Sequence, residues 1–268
     1  MNLPTALAPR LRRLIAPNRL TALHRLLALL IAASAATHPV ASLAQTSVNV
    51  QDTIAQRVVA CAACHGKEGR ATRDGYFPRI AGKPADYLYN QLMNFRDGQR
   101  RHPAMNHLVA NLSDAYLREI ADYFASLRLP YPPSQSFSDK AALARGRALV
   151  MEGDKTRQIP ACASCHGEQL TGRQPSVPSL IGLSRDYLNA QFGAWQTGLR
   201  STAAPDCMAT IARRLRPEDI AAVSAWLASQ PVAATSAPSR RRPAALPMPC
   251  GTADSIDAKQ TETLGRRK

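Results

Sequence analysis

Two short stretches of the chain carry residues that can do chemistry: Cys61-Ala62-Ala63-Cys64-His65-Gly66 and Cys162-Ala163-Ser164-Cys165-His166-Gly167. A Cys-x-x-Cys-His run sets two thiols within one helical turn, close enough to meet the two vinyl groups on one porphyrin edge. The adjoining imidazole then projects under the iron, which makes the run the attachment signature of c-type haem. One such pentapeptide can be accidental, whereas two inside a repeated unit are a strong signal. The competing chemistries fit less well. Structural zinc wants four ligands in tetrahedral array, and each stretch offers one close cysteine pair and an adjoining histidine. A thioredoxin-like redox pair belongs in a βαβ context, for which no pattern exists. A disulfide framework leaves both histidines without a reason.

An iron held by one imidazole needs a second axial group. Met208 is the only methionine between His166 and the tail, and its counterpart is Met105. Each follows its histidine by about 40 residues and precedes the last helix of its unit. Met93 is a rival in the first unit, but it sits inside a helical pattern where its counterpart is Gly193, which suits core packing. His102 and His107 flank Met105 and are rival ligands. A thioether opposite imidazole favours reduced iron, and a six-coordinate iron has no open position for substrate. Pro78 and Pro178 occupy equivalent places after the two motifs. Their carbonyls are candidates to hold the free ring N–H of His65 and His166; an ordinary loop proline is the alternative.

The elements that must position these groups are duplicated. The Cys-x-x-Cys-His run recurs after 101 positions, and Gly82, Asp86, Tyr87, Leu88, Gln91, Gly98 and Arg100 recur as Gly182, Asp186, Tyr187, Leu188, Gln191, Gly198 and Arg200. Such self-similarity decides the architecture. Apolar residues at helix spacing predict helices over 85–96 and 185–196, and a helix leads into each motif at 52–60 and 140–151. Ser113 and Pro217 open the last helices, where a hydroxyl cap, proline and acids are favourable. No long alternating β pattern occurs. The expected fold is all-α, with two tandem domains at 45–130 and 140–230 joined by the proline-rich linker 131–139. Tyr87, Tyr187, Arg100 and Arg200 are expected at haem carboxylates, at the surface between the repeats, or in simple packing.

Composition agrees. Hydrophobic residues make up 45% but aromatics only 5%, a thin supply of bulky core material that an apolar cofactor in each domain would supplement. Residues 1–44 read as a signal peptide cleaved after Ala44: five arginines and no acid, then an apolar stretch from Leu26 to Ala36, then small residues at Ser42 and Ala44. That stretch is short for a membrane span, although an uncleaved anchor is the alternative. The formal charge of +15 falls to +6 for the body once the leader and the basic tail 231–268 are set aside. No basic cluster marks a folded face, so nucleic-acid binding is a poor reading. The tail is Pro-, Ala-, Ser- and Arg-rich and is expected to be disordered, with at most peripheral contact to anionic lipid. Cys207 and Cys250 remain after the haems take four cysteines; a disulfide is one option, and two independent thiols is the reading preferred. Met248, in the tail, is not expected to be a ligand.

Over residues 50–230 the chain resembles the cytochrome c4 family of di-haem periplasmic cytochromes. The resemblance rests on the two haem motifs, on Gly82-Lys83-Pro84-Ala85-Asp86-Tyr87-Leu88 with Gln91-Leu92 and Phe95-Arg96-Asp97-Gly98, and on Met105 and Met208. It implies two cytochrome c domains related by a pseudo-twofold axis and two covalent haem c groups. Cys61, Cys64, His65 and Met105 would serve the first, and Cys162, Cys165, His166 and Met208 the second. It also implies electron exchange with redox proteins in the periplasm, a membrane cytochrome complex or dehydrogenase as donor and a terminal oxidase as acceptor. Other readings are the haem subunit of a periplasmic dehydrogenase, such as a sulfide-oxidising flavoprotein, and, less readily, a di-haem peroxidase.

Overall fold

A computed structural model describes residues 51–72, 74–233, 236–240 and 245–252. The expected signal peptide and its cleavage site lie outside the described residues. Among the described residues no helix is long and apolar enough to cross a membrane.

Ten α-helices occur among the described residues. The first repeat holds α1 (Ile54–Arg57), α2 (Val59–His65), α3 (Ala85–Arg96), α4 (Pro103–Val109) and α5 (Asp114–Ser126). The second holds α6 (Lys140–Met151), α7 (Cys162–His166), α8 (Arg185–Gln196), α9 (Cys207–Arg214) and α10 (Pro217–Ser229). Side chains cap many of the starts. Ser113, Asp139, Ser184 and Asp206 each accept the backbone N–H three residues on, satisfying a donor the helix itself leaves unpaired. The helix expected over 52–60 is broken at Val58, which is buried at the join of α1 and α2. Helices α4 and α9 were not legible in the sequence, and each carries one of the two candidate methionines.

In the first repeat, α3 packs against α5, burying Leu88, Ile120, Ala121 and Phe124, with Phe95, Val109 and Leu117 beside them. The second repeat packs α6, α8, α9 and α10 around Val150, Leu188, Trp195 and Leu227. The close approach of α6 to α10 requires Gly146, since any Cβ there would strike the Ala222 carbonyl and Trp226. The repeats meet at equivalent segments. Arg100 and Arg200 form an isolated antiparallel bridge, with Arg101 N–H donating to Leu199 O (2.8 Å) and Ser201 N–H to Gln99 O (2.7 Å). The linker docks as well, since Gln135 N–H donates to Ala228 O (2.9 Å) and its side-chain oxygen accepts from Arg185 N–H (3.0 Å).

The tail corrects one expectation. Cys207 and Cys250 are not independent thiols; they are bonded to each other, closing a separation of 43 residues. The described parts of the tail return to the second repeat through backbone pairing. Gln174 N–H donates to Ser239 O, Ser239 N–H to Gly172 O and Gly251 N–H to Pro205 O. Disorder expected from composition therefore does not extend to these stretches, because backbone pairing and a covalent bond offset the poverty of apolar side chains.

Candidate haem-binding site

Both cysteine motifs lie on short helices ended by a glycine. Gly66 and Gly167 adopt φ of 72° and 88°, a conformation glycine takes without steric cost, and a Cβ at residue 66 would strike the Ala71 carbonyl. The turn behind each histidine is closed by Ala71 N–H donating to His65 O (2.7 Å) and Gly172 N–H donating to His166 O (2.9 Å). The imidazoles are then fixed from the other side. Nδ1–H of His65 donates to Pro78 O at 2.9 Å, and Nδ1–H of His166 donates to Pro178 O at 2.8 Å. Of the two readings of these prolines, the carbonyl acceptor is the one the structure contains. A proton held on Nδ1 leaves Nε2 with its lone pair free, the arrangement a metal-ligating histidine needs.

Electrostatics keep both rings neutral. Burial pushes His166 down to about 4 against the pull of the Pro178 carbonyl, and the positive charges of Lys83 and Arg173 act in the same direction as burial. His65 is lowered first by burial as well. The four motif cysteines are free. Burial raises Cys61 and Cys165 and pushes Cys162 up to about 12. Protonated thiols are poor nucleophiles, which disfavours a thioredoxin-like chemistry at Cys61, Cys162 and Cys165.

One apolar cavity of about 600 Å³ runs through both repeats. Its wall contains Cys61, Cys64, His65 and Met105 from the first, and Cys162, Cys165, His166 and Met208 from the second. All eight residues singled out in the sequence are thus brought to one space. Met93 packs among Phe95, Val109 and Leu117. His102 lines the cavity and its Nε2 meets the Tyr76 hydroxyl at 3.3 Å. Met248, expected to be remote, also reaches the wall, carried there by the chain beside Cys250.

A buried polar lattice between the repeats lies in the same wall. The Gln91 side-chain oxygen accepts from Arg100 and Arg200, both at 2.9 Å; that of Gln191 accepts from Arg100 at 2.6 Å and Arg200 at 2.8 Å. Arg100 also donates to the Tyr187 hydroxyl at 3.0 Å. Each guanidinium stacks on the aromatic residue of its own repeat, Arg100 over Phe95 (4.5 Å) and Arg200 over Trp195 (3.9 Å). Matching Gln, Arg and Tyr spacings in both repeats signalled the lattice, but the criss-cross of its bonds exists only in the packed molecule. Neither arginine has a carboxylate among the described residues, and Arg200 Nε is buried without a partner. Burial and the adjacent Arg100 charge push Arg200 down. The two guanidiniums are met by neutral side-chain oxygens rather than by carboxylates, a setting compatible with an anionic group in the cavity.

A haem c fits this wall. The cavity is apolar, each repeat offers it two thiols and a neutral imidazole, and the arginines in its wall suit the carboxylates a haem carries.

The comparisons agree with that chemistry. The family model described as cytochrome C oxidase, cbb3-type, subunit III matches residues 50–124, and that for cytochrome c matches residues 143–231. The chain is 37% identical to a protein named thiosulfate dehydrogenase electron acceptor from Thiomonas intermedia, over 68% of this chain and 83% of that one. It is 34% identical to cytochrome c4 of Pseudomonas aeruginosa, over 64% of this chain and 84% of that one. Among solved structures it resembles reduced recombinant cytochrome c4 from Pseudomonas stutzeri (28% identity, 65% and 95% of the two chains, TM-score 0.58). It also resembles thiosulfate dehydrogenase TsdBA from Marichromatium purpuratum (35% identity, TM-score 0.57), where the match covers 64% of this chain and about a third, 36%, of that one. With two cytochrome c domains, two covalently bound haem c groups and relatives that carry electrons, the chain belongs to the cytochrome c4 family of di-haem electron carriers.

Proposed function

We propose that the chain is exported to the periplasm, accepts electrons from a dehydrogenase of the thiosulfate dehydrogenase kind and delivers them toward a terminal oxidase. The observation that carries the two-haem part of this reading is an apolar cavity lined by two equivalent sets of candidate attachment and ligand residues. Cys61 and Cys64 would hold the first haem, with His65 and Met105 as ligands to its iron; Cys162, Cys165, His166 and Met208 would do the same for the second. The names of the most similar relatives support the donor.

When bound, haem supplies reversible one-electron chemistry at iron. The residues of the chain set the conditions for it. Pro78 and Pro178 hold the Nδ1 protons, fix the tautomer and increase the basicity of Nε2. Met105 and Met208 present soft thioethers that favour the reduced metal. An imidazole and a thioether from the chain would together leave the metal no place for substrate, which favours electron exchange over catalysis. The apolar walls contributed by Leu88, Phe124, Leu188 and Leu227 keep water from the interior.

Expression with haem-maturation machinery, followed by a pyridine haemochrome assay and intact mass, is expected to give two haems per chain, low-spin iron and a methionine-to-iron charge-transfer band. Rapid mixing with a reduced thiosulfate dehydrogenase is expected to reduce both. One haem per chain would overturn the duplicated site. Two haems that this donor fails to reduce, while a membrane cytochrome complex reduces them, would overturn the donor alone.

A further inference from the structure

Lys83 lies in the first repeat, yet its ammonium serves the second. It is 4% exposed, and Nζ–H donates to Ser179 O at 3.0 Å across 96 residues of sequence. Ser179 follows Pro178, whose carbonyl holds the His166 ring. Lys83 and Ser179 both line the cavity, and Lys83 is one of two cations acting on His166, whereas His65 is under the charge of Arg100. The duplication does not reproduce this feature, because the residue equivalent to Lys83 is Leu183, which packs against the apolar core of the second repeat.

An ammonium has three donors, and a carbonyl takes one. Among the described residues the charge that acts on Lys83 is the like charge of the buried Arg79 guanidinium, with no carboxylate beside it. Burial pushes Lys83 down to about 7, the response of a cation deprived of an anion.

We propose that Lys83 completes the second haem site from the first repeat, serving as the counter-charge to a haem carboxylate there and raising the potential of the second haem relative to the first. The proposal rests on the di-haem reading. Positive charge near a redox centre disfavours its oxidised, more positive state, so an unduplicated lysine makes two otherwise similar sites unequal.

The test is a spectroelectrochemical titration of holoprotein carrying Lys83→Met or Lys83→Gln, with Lys83→Arg as the conservative variant. Met208→Ala identifies which of the two waves belongs to the second haem. Loss of the charge is expected to shift that wave to lower potential with a smaller shift in the other, and Lys83→Arg to restore most of the separation. Equal shifts in both waves, a shift confined to the first, or no shift would each overturn the proposal. A haem count below two in the unsubstituted protein would instead overturn the reading beneath it. Should Lys83→Met fail to mature, the comparison of Lys83→Gln with Lys83→Arg still decides the matter.

Discussion

At the scale of single residues, the site depends on atoms held from behind. His166 is suited to serve as a ligand because Pro178 removes one of its two nitrogens from play and burial keeps the ring neutral. Met208 needs only to face the same space with its sulfur, and α9 places it there, next to a cysteine pinned by the tail. Met208→Ala is therefore expected to lower the potential of one haem while the count stays at two, since thioether ligation favours reduced iron. Met248→Ala, at the same wall, is the matched control and is expected to leave both potentials in place. Redox titration of the two variants checks this, and an unmoved potential in Met208→Ala would remove that side chain from the iron.

At the scale of elements, α10 is held by a carboxylate rather than by apolar contact alone. Asp219 is fully buried; its oxygens accept from Arg145 at 2.8 and 2.5 Å, from Arg157 at 2.6 Å, and from its own helix start at Arg216 N–H at 3.0 Å. Burial alone would raise this carboxyl, but the hydrogen bonds from Arg157, Arg216 and Arg145 bring it below the ordinary range. Both guanidiniums keep partial access to water. Asp219→Asn is accordingly expected to cost about 3 kcal/mol, the low end for a broken buried pair, measured by urea unfolding of the holoprotein at neutral pH. A lowered folded-state carboxyl contributes stability that is fully present above the unfolded value of about 4 and is lost as pH falls through the folded one. The gap between variant and parent should therefore narrow on acidification below about pH 4. A gap independent of pH would mean that the charge of Asp219 contributes nothing.

At the scale of the whole molecule, the two repeats are joined by polar groups that neither could satisfy alone. Gln91 and Gln191 each accept from both buried arginines, one from each repeat. Replacing either by Ala strips an acceptor from two buried N–H donors, at about 1–3 kcal/mol. Because both glutamines share the same two partners, their effects are expected to be non-additive by roughly 1 kcal/mol in a double-mutant cycle. Chemical unfolding of the four proteins measures this, and strict additivity would show that the lattice is two independent contacts.

Much of the site was open to reading because haem attachment is local chemistry. Two thiols and an imidazole within five residues carry their own geometry, and the Ser113 cap and the first-turn Pro217 act within one turn. Duplication then identified Met105 and Met208 by correspondence, even though helices α4 and α9, seven and eight residues long, left no usable periodicity. The tertiary structure alone decided the contacts spanning many tens of residues: the four-way sharing of Gln91 and Gln191, the reach of Lys83 to Ser179, the docking of the linker, and the Cys207–Cys250 bond that brings Met248 to the cavity. Such pairings depend on where separate helices come to rest against one another. A linear pattern records which face of a helix is apolar, not which distant carbonyl its neighbour will meet.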